Sequence, residues 1–234
     1  MVKGNESINR FVTTPILLYH NIDGEGIYSL QLDTLKSHFE LFKNSNIRII
    51  ELSDLVSILE NPHPFPEKAI AISFDDGFLS MYTKLLPLIS EYGYPTTLFV
   101  YTDNIYHRAK RNLTWKHLRE LEQNGIRVEC HSISHADLDA LSKEGTREAR
   151  KKLFEEIYLS KRIIELYLKK RIKYFAFPYG RYNIEIIGLC KDSGYERVFS
   201  TDFGSNVITR DNYCLRRTHI KRTHQLRYIE ALVK

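Results

Sequence analysis

Apolar positions along the chain fall into two alternating kinds of run. Short stretches rich in β-branched and aromatic residues cover 16–20, 47–50, 69–74, 96–101, 128–131, 174–177 and 197–201, and their length and composition predict strands. Between them, residues 30–45, 79–92, 114–124, 143–170, 184–193 and 224–233 carry apolar positions at the spacing of an amphipathic helix. Several of these stretches run into a glycine, a natural C-terminal stop. Strands alternating with helices imply parallel strands covered by helices, an α/β architecture built as either an open doubly wound sheet or a closed barrel.

The segment 61–66, with three prolines, reads as a rigid surface loop rather than a boundary. No repeat, low-complexity tract or Gly/Ser linker divides the chain. A single domain over residues 1–234 is therefore expected, and 234 residues with 43% apolar content suffice for one large core. The run 143–170, dense in Lys, Arg and Glu, reads as a solvated amphipathic helix.

Composition narrows the function classes. The net charge is +5, but Lys and Arg are spread along the chain instead of clustering with aromatic residues, so nucleic acid is not an expected partner. The first fourteen residues are polar and mixed, and the apolar stretch at 15–19 is too short for a secretory core or a membrane span. The chain reads as soluble: cytoplasmic as it stands, or periplasmic or at the cell surface if an export signal has been removed. Cys130, Cys190 and Cys214 are odd in number and lack Cys-x-x-Cys spacing, which suggests buried thiols rather than disulfides or a thiolate zinc site.

In either α/β architecture, reactive groups collect where strands end at their carboxyl side. The run Ala69-Ile70-Ala71-Ile72-Ser73-Phe74 ends in Asp75-Asp76-Gly77, setting two carboxylates side by side. Like charges this close raise one another's proton affinity and persist mainly when they share a proton or a cation. The alternative is that one of them caps the following helix. A second strand, from Val128, delivers His131-Ser132-Ile133-Ser134-His135. Two imidazoles and one carboxylate at strand ends make a facial set with open positions for water and substrate. Cys130 precedes the first of these histidines and, by strand alternation, faces the other way.

Ser-Phe-Asp-Asp-Gly at 73–77 and His-Ser-Ile-Ser-His at 131–135 resemble the first two motifs of the polysaccharide deacetylases, the NodB-like carbohydrate esterases. The similarity extends to Leu-Leu-Tyr-His at 17–20, Leu-Thr-Trp-Lys-His-Leu at 113–118, Ala-Asp-Leu after the second histidine, and Phe-Ala-Phe-Pro-Tyr-Gly at 175–180. It runs in the family's order from about residue 16 to about 220 and is greatest toward the branch that deacetylates poly-N-acetylglucosamine.

The resemblance implies a distorted (β/α) barrel of the NodB-like polysaccharide deacetylase type. It also implies a divalent metal, zinc by ligand chemistry with cobalt, nickel or iron as substitutes. Asp76, His131 and His135 would hold it, and Asp75 would be the general base. Pro178 and Tyr179 of the third motif are expected at the substrate, with the Tyr179 backbone N–H as oxyanion donor. His20 is expected near the site floor or the substrate.

Two departures stand out. Many members place an Arg two residues before the motif's Pro, as partner to the catalytic Asp, where this chain has Ala176. Arg217, following the last strand, is the candidate to orient Asp75 instead. The family's closing histidine, which protonates the leaving amine, matches His219 in Leu-Arg-Arg-Thr-His, with His224 as a rival. Trp115 fits a helix core face with Leu118 and Leu121 better than a sugar-stacking platform.

The expected activity is hydrolysis of N-acetyl groups on an N-acetylglucosamine polymer or oligomer. The same residues would serve an O-acetyl esterase on a polymer such as acetylated xylan, or a binding module that has lost turnover. A non-haem iron oxygenase would share the two histidines and one carboxylate, but not the second carboxylate or the flanking motifs.

Overall fold

The computed structural model describes residues 14–60, 68–106, 111–206 and 213–233. The proline-rich segment 61–66 lies outside the described residues. Among the described residues, nine strands form one sheet: β1 (Ile16–Tyr19), β2 (Arg48–Ile50), β3 (Ala69–Asp76), β4 (Thr96–Val100), β5 (Ile126–Cys130), β6 (Tyr174–Ala176), β7 (Arg197–Phe199), β8 (Cys214–Leu215) and β9 (Thr218–His219). Their order is β8-β7-β6-β5-β4-β3-β1-β9, with β2 paired to β3. Every ladder among them is parallel.

Alternation sorts the side chains of each strand onto two buried faces. Ile16, Ala69, Ala71, Phe99, Tyr174, Ala176, Phe199 and Leu215 pack together inside the curled sheet. Leu17, Ile70, Ile72, Leu98, Val128, Cys130, Phe175 and Val198 face the surrounding helices. Burial on both faces is why the strands read as nearly continuous apolar runs. Cys130 accordingly points away from the interior, its Sγ 3.2 Å from Ser160 Oγ.

The sheet curls into a distorted barrel that no ladder closes among the described residues. Its two ends are halves of a single stretch, since β8 pairs with β7 and β9 with β1 while only Arg216 and Arg217 separate them. The Arg216 N–H is taken by Asn206 Oδ1 at 2.8 Å. Arg217 therefore sits between two short strands, not after the last one as the sequence suggested, because two-residue strands leave no readable period.

The predicted strands all form, and so do helices at Leu32–Asn44, Trp115–Gln123, Ile184–Asp192 and Leu226–Val233. Short helices at Leu52–Glu60, Thr102–Tyr106 and Leu138–Lys143 were not anticipated. The stretch 79–92 begins with a π turn, Met81–Leu85, before Leu86–Tyr92. The stretch 143–170 is corrected more substantially. Its helix starts at Arg147 and passes through a second π turn at Glu155–Leu159 into Ser160–Leu168. The extra residue in the π turn changes which side chains face inward. Glu156, Ser160 and Lys161 are buried, so the segment is not a purely solvated face. Among the described residues, no helix is long and apolar enough to cross a membrane.

Candidate active site

The carboxyl ends of β3 and β5 meet on one rim of the barrel. In a regular strand Asp75 and Asp76 would point to opposite faces, but Asp76 has φ 80° and Gly77 has φ 84°. Aspartate tolerates that left-handed backbone better than most residues. The turn brings both carboxylates to one imidazole: His131 Nε2 is 3.7 Å from Asp75 Oδ2 and 3.8 Å from Asp76 Oδ1. His135 Nε2 lies 3.6 Å from the same Asp76 oxygen.

Asp76, His131 and His135 each turn one ligand-capable atom toward a common point, all within 4.8 Å of one another. The donor chemistry fits a divalent cation. His131 Nδ1 is 2.8 Å from the Ala176 carbonyl, an arrangement in which Nδ1–H donates and Nε2 keeps its lone pair inward. Burial lowers both histidines, His131 to about 4, so both are neutral and free to ligate at neutral pH. Burial and the charge of Asp75 raise Asp76 to about 7, a penalty that a cation would relieve.

Asp75 is in the opposite condition. Burial works to raise its proton affinity, but the Arg217 guanidinium and neighbouring histidines overcome this and hold it well below the usual carboxylate range. Arg217 Nη1 donates to Oδ1 at 2.7 Å and Nη2 to Oδ2 at 2.8 Å. Arg217 itself has no exposed surface, donates from Nε to the Ser200 carbonyl at 3.2 Å, and lies over the Phe99 ring at 5.1 Å. With no exposed atoms it reaches the site through Asp75, not by touching a ligand.

The loop carrying the two histidines is strained and anchored. Ser132 has φ 80° and His135 φ 58°. Glu156, buried under the loop, accepts the N–H groups of Ile133 and Ser134 at 2.9 Å each and the Ser134 hydroxyl. Thr102 and Asp103 donate backbone N–H groups to the carbonyls of Ser132 and Ile133, and the Asn104 side-chain amide donates to the Asp76 carbonyl at 2.8 Å. Sequence reasoning missed Glu156 and Asn104. Neither sits in a motif, and Glu156 lies among charged residues that read as solvent-facing.

Pro178 starts a short 3-10 turn, Pro178–Gly180, in which Tyr179 takes φ 58° and stays 59% exposed. Its ring meets His135 edge to face at 4.6 Å. The Tyr101 ring approaches His135 from another side at 5.3 Å. Beyond Asp75, His20 and His219 stack almost in parallel, 5.3 Å apart with an 11° tilt. Burial lowers both to about 4. Both rings feel the charges of Asp75 and Arg217.

His224 is not part of this group. Its Nδ1 accepts the Lys221 N–H at 3.2 Å and its ring packs on Tyr228. Trp115 stacks on Tyr167 at 4.2 Å and packs against the helix-side core.

A buried, arginine-held carboxylate thus lies beside a two-histidine, one-carboxylate cluster on the rim of an α/β barrel. The chain belongs to the polysaccharide deacetylase family, whose profile it matches over residues 63–198. It is 25% identical over 206 residues to YxkH of Bacillus subtilis, covering 88% of this chain and 71% of that one. It is also 24% identical over 197 residues to a poly-beta-1,6-N-acetyl-D-glucosamine N-deacetylase of Staphylococcus aureus, covering 81% of this chain and 67% of the relative. Its fold matches the Streptococcus pyogenes deacetylase PplD with a TM-score of 0.84 at 21% identity, over 96% of this chain and 99% of that one.

Proposed function

We propose that this chain is a metal-dependent hydrolase that removes acetyl groups from N-acetylglucosamine units of a polysaccharide or oligosaccharide. The observation that carries the reading is the contact between the ionised, Arg217-held Asp75 and the Asp76, His131, His135 cluster. Similarity to an N-deacetylase of poly-N-acetylglucosamine supports the substrate class.

Asp76, His131 and His135 would hold the ion, zinc by the chemistry of its ligands. When bound, it supplies polarisation of the acetyl carbonyl and acidification of the attacking water. Asp75 stays ionised at neutral pH, and Arg217 fixes the plane of its carboxylate, so it accepts the water's proton in one set orientation. The Tyr179 backbone N–H donates to the oxyanion that forms as the amide carbonyl is attacked. The stacked pair His20 and His219, which burial keeps neutral beforehand, relays to the leaving amine the proton that Asp75 took from the water. Pro178, with its fixed φ, sets the turn that presents Tyr179.

The test is release of acetate and free amine from N-acetylglucosamine oligomers by metal-stripped protein, before and after each divalent ion is restored. An acetylated xylan is run in parallel. Ion-dependent amine release that Asp75→Asn abolishes supports the proposal. Acetate from the xylan alone would replace it with an O-acetyl esterase, and no product from either substrate, with the metal bound, would leave a binding module.

A further inference from the structure

The stacked histidines lack the feature that normally fixes an imidazole. A functional histidine is usually oriented by a hydrogen bond from its second ring nitrogen to a carbonyl or carboxylate. His131 has such a bond, to Ala176. In His20 and His219 the Nδ1 atoms are buried and have no hydrogen-bond partner. Ring packing must therefore hold both planes.

Tyr28 is the side chain that packs on both. Its ring centroid lies 5.2 Å from that of His20 and 4.8 Å from that of His219. It arrives on the loop that follows β1, which is tied shut: the Leu30 N–H donates to the Asn21 carbonyl at 3.0 Å and the Gly24 N–H to the Leu30 carbonyl at 3.1 Å. Arg222, downstream of β9, clasps the same loop. Its N–H donates to the Ile27 carbonyl at 2.8 Å and its Nη1 to the Gly24 carbonyl at 2.7 Å. A loop closed at four points presents the Tyr28 ring as a fixed wall.

We propose that Tyr28 is a positioning residue: it completes a triangle of three packed rings that sets the planes of His20 and His219 and keeps water from their unpartnered nitrogens. The proposal rests on the reading of that pair as the proton donor. The charged and titratable groups facing the pair are Asp75, Arg217, His131, His135 and Lys221, whose ammonium lies 6.0 Å from the Tyr28 ring centroid. None of them is an acceptor for either Nδ1, so the loss of Tyr28 has no substitute within the site.

The experiment compares Tyr28→Phe, Tyr28→Ala and Arg222→Met in the full chain with metal bound, using two readouts. For turnover of N-acetylglucosamine oligomers, Tyr28→Ala should lose about tenfold or more in kcat with KM little changed, and Tyr28→Phe should restore it, as expected when a proton-transfer group is misaligned. Arg222→Met, which frees the loop, should fall between them. In the absence of substrate, the imidazole proton signals of His20 and His219 should titrate at higher pH in Tyr28→Ala than in the parent, because water now reaches the rings.

An unchanged titration of both histidines in Tyr28→Ala overturns the proposal. So does a rise in KM alone, which would make Tyr28 a sugar platform. If the parent protein deacetylates nothing, the titration still decides whether Tyr28 governs the pair, so the two readings fail separately. Tyr28 is 38% exposed, and Tyr28→Leu serves as a second variant should the alanine form fold poorly.

Discussion

Arg217 and Asp75 meet in a two-pronged ion pair, guanidinium to carboxylate, at 2.7 and 2.8 Å with almost no exposure of either partner. Removing one member of such a pair leaves the other charge buried alone, whereas replacing both with apolar groups is far better tolerated. Arg217→Met should therefore destabilise the fold by about 3–5 kcal/mol and abolish activity. Asp75→Leu combined with Arg217→Met should recover much of the stability while staying inactive. Urea unfolding of the two variants beside the parent checks this. The native Asp75 carboxyl is depressed, so its contribution is present above the unfolded value of about 3.9 and is lost as pH falls toward the native one. The double variant should lose stability less steeply on the acid side.

The histidine loop depends on Glu156. Glu156→Ala removes two acceptor oxygens and the three hydrogen bonds they take from beneath His131 to His135, without touching a proposed ligand. Supporting residues of this kind typically change metal affinity by about 10–100-fold. Calorimetric titration of zinc into metal-stripped protein should show a loss in that range, with the number of ions bound unchanged.

Two glycines with nearly equal φ separate strain from crowding. Gly93 has φ 67° and open space around an added methyl, while Gly180 has φ 68° and a Cβ there would lie 1.9 Å from Thr201 Oγ1. Gly93→Ala should cost only the left-handed penalty, about 1 kcal/mol. Gly180→Ala should cost roughly 3 kcal/mol or more and impair turnover as well, because the overlap must displace the turn bearing Tyr179. Denaturation midpoints and kcat for the two variants make the comparison.

His38 offers a test of pH dependence away from the site. It is buried on the helix Leu32–Asn44, 3.2 Å from the Tyr19 hydroxyl, and burial lowers it to about 4. The unfolded chain takes up its proton near 6.5, so stability falls as pH drops from about 6.5 toward 4, by at most about 1.4 kcal/mol per pH unit for this one group. His38→Gln should flatten that part of the stability profile, measured by urea unfolding across the interval.

Much of this was written into local sequence. The strand ending at Asp75 and Asp76 was legible because both of its faces are buried and two carboxylates interrupt it abruptly. The histidine pair drew its meaning from the carboxylates at the end of the other strand and from the motif it resembles, its spacing alone being weak. Arg217 was proposed because the resemblance left Asp75 without its usual arginine at position 176, and the structure puts Arg217 on Asp75. Other features depend on tertiary geometry. The strands containing Cys214 and His219 have two residues each, too few for any period. Glu156 turns inward because a π turn shifts its helix, and nothing in a Lys- and Glu-rich stretch announces that shift. The stacking of His20 on His219 unites the ends of two strands 199 positions apart, adjacent only because β9 pairs with β1.

The stretch that joins the two ends of the sheet also has a temporal meaning. Asp75 leaves the ribosome 142 residues ahead of Arg217. Until the later segment docks, the barrel has an open seam and its central carboxylate has no counter-charge. Docking of that one segment pairs β8 with β7 and β9 with β1 and brings Arg217 onto Asp75, so a chain that lacks it holds the Asp75 carboxylate without its arginine.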